Sequence, residues 1–146
     1  MSAGKQVFSL ALGILYLLFG IVQVVGGLVP GIAASLQAFF IPTDIIPGCV
    51  VCLIGAVFLY GAAEMRAKRP GAVAFLYVGM LLSLIFCAIT LIDIGAQGVN
   101  TVFFGGEDDA TWSSTQFVTP VIYLAVHSIA GSWAWGRKFY RELTEG

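Results

Sequence analysis

The sequence predicts an all-α integral membrane protein: a four-transmembrane-helix bundle with both termini cytoplasmic and a short interfacial helix in the first outer loop. Three observations predict it. Of the 146 residues, 59% are apolar and a further 18 are glycine, while only 10% are charged, against about 25% in soluble domains. A soluble globule of this size needs polar groups over its surface, and these residues cannot supply them. Next, no charged residue falls between Lys5 and Asp44, Asp44 and Glu64, Arg69 and Asp93, or Asp109 and Arg137. A spanning helix needs about 20 mostly apolar residues, so each gap can hold one. Finally, the basic residues occur in three places only: Lys5, then Arg66, Lys68 and Arg69, then Arg137, Lys138 and Arg141. The length fits one domain, 1–146, and the net charge of −1 with no basic recognition surface excludes a nucleic-acid partner.

The first span is placed at Val7–Val29. It is longer than the roughly 7–15 apolar residues of a signal peptide, and no A-x-A site follows, so it is expected to stay as an anchor. Pro30 and Pro42 then bracket Gly31–Ile41, where Ile32, Leu36, Phe39 and Phe40 recur at helical spacing; this is the expected interfacial helix. The second span is Ile45–Ala63, followed by a basic turn, and the third is Gly71–Ile92. A longer outer loop, Asp93–Gln116, holds Phe103, Phe104, Gly105, Gly106, Glu107, Asp108, Asp109 and Trp112, and the fourth span is Phe117–Trp135. The apolar runs are continuous rather than alternating, which excludes barrel strands. With an even number of spans all seven basic residues share one side, and the positive-inside rule makes that side cytoplasmic. Trp133, Trp135 and Tyr140 then sit at the inner interface.

Lipid tails are as apolar as leucine, so close backbone approach at small residues must hold the helices together. Gly13, Gly20 and Gly27 recur every two turns of the first span, and Gly48, Gly55 and Ala62 echo them in the second. The third offers Gly79, Ser83, Cys87 and Thr90, and the fourth Ser128, Ser132 and Gly136. Each span thus has one smooth face, as a tight bundle requires.

Chemistry has few places to reside. Cys49-Val-Val-Cys52 opens the second span, and C-x-x-C at a helix N-terminus is the arrangement of thiol–disulfide exchange. It resembles the quinone-linked, disulfide-forming membrane oxidases, which also have four spans and carry C-x-x-C at the start of the second. That resemblance implies redox-active Cys49 and Cys52 with a quinone cofactor. The family also needs a second cysteine pair in its other outer loop, and Asp93–Gln116 contains none; Cys87 lies deep in the third span.

His127, the single histidine, falls near the middle of the fourth span. Ionisable groups at that depth are functional candidates. It could ligate haem, relay a proton or hydrogen-bond across the bundle. A charged imidazolium there would cost several kcal/mol, so a neutral ring is expected, facing the interior or a subunit interface, with Tyr123 or Ser83 as partner. Gln23 and Asp93 fall at similar depth and are expected to pair, and Glu64 is expected to pair with Arg66 or Lys68. The acidic triplet lacks the spaced ligands of a calcium loop. Phosphate loops, metal-spaced clusters and Ser–His–Asp elements are absent from the sequence.

The layout of a glycine-patterned first span, a short basic inner turn and a longer outer loop before the fourth span is similar to small tetraspan families such as the MARVEL-type proteins, which implies oligomerisation or partner binding. The reading that follows is a non-enzymatic membrane protein acting by helix–helix association, as an accessory subunit or a homo-oligomer, with no cofactor. The alternatives are the thiol–quinone oxidoreductase and a small oligomeric transporter or channel with His127 and Asp93 along its route.

Overall fold

Apolar runs punctuated by proline set where the helices begin. A computed structural model describes residues 3–37, 39, 41–69, 71–104 and 119–144. Its elements are α1 (Ala3–Leu28), the short α2 (Pro30–Gln37), α3 (Ile45–Arg66), α4 (Ala72–Phe104) and α5 (Pro120–Thr144). Pro30 and Pro120 each occupy the first helical position, where a missing N–H leaves no bond unmade. Pro47 sits in the first turn of α3 for the same reason, and the Gly48 N–H closes that turn on the Asp44 carbonyl at 3.1 Å.

The turn from α3 to α4 is a Schellman motif. The Arg69 N–H donates to the Glu64 carbonyl and the Lys68 N–H to the Met65 carbonyl, both at 3.2 Å, with Lys68 in the left-handed region at φ 53°. The motif folds residue 69 back over residue 64. Glu64 therefore pairs with Arg69 at 3.2 Å, not with Arg66 or Lys68 as the sequence suggested. The Arg69 side chain is two-thirds exposed, so this pair contributes at most about 1 kcal/mol.

Two helices depart from the expected spans. α4 does not stop at Ile92; it runs through Asp93 to Phe104, 33 residues and about 50 Å at 1.5 Å per residue, well beyond a hydrocarbon core of about 30 Å. Asp93 bonds to Gln97 one turn on, at 3.0 Å, and the Thr101 hydroxyl donates to the Gln97 carbonyl at 2.9 Å, so the expected outer loop begins as three more turns of helix. α5 begins at Pro120 and continues past Trp135 to Thr144. Phe40, residues 105–118 (with the acidic triplet, Trp112 and the first two residues of the expected fourth span) and Gly105 and Gly106 among them lie outside the described residues.

The four long helices alternate in direction. α1 packs most extensively against α3, α3 against α4, and α4 against α5. α5 closes on α1 through ring contacts, Phe8 with Trp135 at 5.1 Å and Phe19 with Tyr123 at 5.6 Å. Leu12, Tyr16, Ile54, Phe58, Leu76, Met80 and Leu124 form the core. Around it the usual arrangement is inverted: Ser9, Gln23, Ser83 and Ser128 are buried, while Leu18, Ile46, Leu81, Ile92 and Trp133 face outward. Such an exterior is stable in lipid and not in water. α1, α3 and α4 are each long and apolar enough to cross a membrane. α2 packs back on α1, with Leu36 over Gly26.

Candidate functional site

The first candidate site is the seam between α1 and α3. Gly13 meets Leu59, Leu17 meets Gly55, Gly20 meets Cys52, Val24 meets Gly48 and Gly27 meets Ile45. The α1 positions are spaced alternately by four and three residues, the 3.5-residue period of a coiled coil, and in every layer a glycine faces a larger side chain. The approach leaves no room for a methyl group. A Cβ on Gly20 would lie 2.6 Å from the Cys52 backbone nitrogen, and one on Gly55 would lie 2.6 Å from that of Leu17. Cys52 is therefore a seam residue, its sulfur turned to the α1 backbone, whereas Cys49 is exposed. Both are free thiols, as is Cys87.

Below the middle of α1 lies a polar layer that the small-residue pattern only half disclosed. The Tyr16 hydroxyl, fully buried, is hydrogen-bonded to Ser83 Oγ. Ser128 is buried within electrostatic reach of the same hydroxyl but short of hydrogen-bond geometry. The Phe58 ring stacks on Tyr16 at 5.8 Å and fills the space left by Gly79. The Phe58 carbonyl accepts from Ser9 Oγ at 2.7 Å. On α5 the close approach comes at Gly131, against Phe8 and Met80, while Gly136, expected on that face, has open space beside it. The signal for this layer was available: a phenol in the middle of an apolar span must find a partner.

Gln23 is fully buried, and neither of its amide atoms has a hydrogen-bond partner among the described residues. The expected pairing with Asp93 is not made, because α4 carries Asp93 outward, where it accepts from Gln97.

His127 lies on the outward face of α5 rather than in the bundle interior. Its Nδ1 is 3.0 Å from the Tyr123 backbone carbonyl on its own helix, and Ser83 is engaged by Tyr16 instead. The ring is about 10 Å along the helix from Pro120 and about 12 Å from Trp135. Ala130 and Ala134 share its exposed face, with Val126 and Trp133 beside them. At the other end of the bundle Lys5 lays its stem against the protein, with Nζ 5.8 Å from the centre of the Tyr77 ring. The Tyr77 hydroxyl donates to the Trp135 carbonyl at 3.1 Å. Among the described residues no group of three or more His, Cys, Asp or Glu side chains could hold a metal ion.

A family model described as the MJ0565 integral membrane domain matches residues 2–136. No curated protein and no solved structure matches the chain. The chain belongs to the MJ0565 integral membrane domain family.

Proposed function

For an integral membrane protein of this family, we propose a four-span bundle that acts by helix–helix association, as an accessory subunit of a membrane complex or as a homo-oligomer, with α5 as its fourth span and its association face. The observation that carries this reading is the outward position of His127. About 10 Å in from the start of a spanning α5, the imidazole faces hydrocarbon with one ring nitrogen bonded to its own helix and the other bare. Lipid offers no partner, and an unmet polar group in the bilayer core is unfavourable by several kcal/mol. A neighbouring helix relieves that, and the alanines on the same face permit its close approach.

The basic residues support termini on the cytoplasmic side, and α2, lying between two outer helix ends, suits an interfacial position. The lipid bilayer is the first partner, and the second is another transmembrane helix. Extraction from native membranes in several mild detergents, followed by size analysis and identification of what co-migrates, tests the proposal. A stable complex larger than the single chain is expected; a lone monomer in every mild detergent would end it.

A further inference from the structure

The chemistry at His127 identifies the partner. We infer that α5 meets α5 of a second copy of this chain, held by reciprocal hydrogen bonds from the Tyr123 hydroxyl of each copy to the His127 Nε2 of the other. The inference rests on the association reading and narrows it.

The tautomer follows from the bond His127 already makes. A backbone carbonyl can only accept, so Nδ1 carries the proton in its contact with the Tyr123 carbonyl. In a neutral ring Nε2 is then a bare acceptor, and the partner must bring a donor. A second His127 in the same tautomer cannot do so. The Tyr123 hydroxyl can. Tyr123 lies one turn from His127 on the same face of α5, half-buried, with its ring edge-on to Phe19. Its hydroxyl makes no hydrogen bond among the described residues. One helix face thus carries an unmet donor and an unmet acceptor four residues apart. A two-fold axis along the membrane normal sets the donor of each copy against the acceptor of the other, the self-complementarity of an isologous interface. Any other partner would have to bring both a donor for Nε2 and an acceptor for the Tyr123 hydroxyl, which a second copy already carries. Ala130 and Ala134 continue the face and let the two backbones approach.

Energy transfer between donor- and acceptor-labelled copies in lipid vesicles, titrated against lipid dilution, tests this. Either Tyr123→Phe or His127→Leu removes both reciprocal bonds, so each is expected to weaken self-association about tenfold, from two intramembrane hydrogen bonds of about 0.6 kcal/mol each. The double variant is expected to be no weaker than either single one. A mixture of the Tyr123→Phe and His127→Leu copies restores one donor–acceptor pair and is expected to associate more tightly than either variant alone, which a misfolded variant could not do. Wild type at the random-proximity level, or a mixture no tighter than its components, overturns the inference. Affinity capture from native membranes separates the two levels. Recovery of a different protein in a His127-dependent complex, with no transfer between copies, removes the second copy and leaves the association reading standing. Absence of both removes both.

Discussion

Replacing Gly20 with alanine adds one methyl group at the tightest point of the α1–α3 seam. The new Cβ would lie 2.5 Å from Cys52 Sγ, 2.6 Å from the Cys52 backbone nitrogen and 2.9 Å from the Gly48 carbonyl oxygen. Favourable heavy-atom contacts lie near 3.5–4.0 Å, and backbone atoms cannot rotate aside, so the two helices must separate locally by about 1 Å. A gap of that size forfeits a quarter to a half of the dispersion at each contact it opens. Overpacking of this kind costs about 1–3 kcal/mol, partly offset by the roughly 1 kcal/mol that alanine gains over glycine in a helix. The expected net loss is about 0–2 kcal/mol. Gly95→Ala is the control: nothing lies within 4 Å of its Cβ position, so only the helix-propensity gain of about 0.5–1 kcal/mol remains. Reversible unfolding in mixed micelles, followed by circular dichroism across a denaturing-detergent titration, should move the two midpoints in opposite directions. If Gly20→Ala is stabilised like Gly95→Ala, the seam does not hold α1 to α3.

The polar layer predicts that Tyr16→Phe and Ser83→Ala each destabilise by about 1 kcal/mol, with the double variant little worse than either, because both remove the same bond; additive losses in the same titration would contradict the pairing. A membrane-permeant maleimide added to native membranes without reductant should label exposed Cys49 faster than Cys52, which is partly buried with its sulfur turned to the α1 backbone. A Cys49–Cys52 disulfide in those membranes would instead favour the redox reading. Ala96→Pro should break α4 beyond Asp93, at a local cost of about 3 kcal/mol, and lose the helical signal of its outer end while the bundle melts as before. An unchanged spectrum would show that the helix does not extend there.

The membrane class and the seam were legible because they are written in composition and in period: charge-free runs place the helices, and glycines seven apart on two spans leave the same smooth face on each. The outer extent of α4 was not, because Asp93 was read as a stop. A carboxylate can end a span without ending a helix, and no proline occurs between Pro70 and Pro120 to break it. Glu64 pairs with Arg69 and not with Arg66 or Lys68 because the partner depends on the Schellman turn, whose left-handed residue is Lys68 and not a glycine. Ser83 and Gly79 are legible as small residues, and Ser83 as a polar partner, expected for His127 and found on Tyr16; Tyr16 and Phe58 are large residues that a small-residue pattern does not mark. Polarity places His127 in the interior or at a subunit interface. Polarity requires a partner but does not say on which face, and the rotation of α5 is set by Gly131 against Phe8 and Met80.

The association face proposed for α5 is tested most directly by site-specific photo-cross-linking in native membranes. One probe replaces Ala130 on that face; a second replaces Leu18 on the outward face of α1, which is 55% exposed. A discrete protein adduct is expected from position 130, lost when His127→Leu is added, with lipid adducts alone from position 18. Lipid adducts alone from position 130, with His127 intact, would contradict the proposed face.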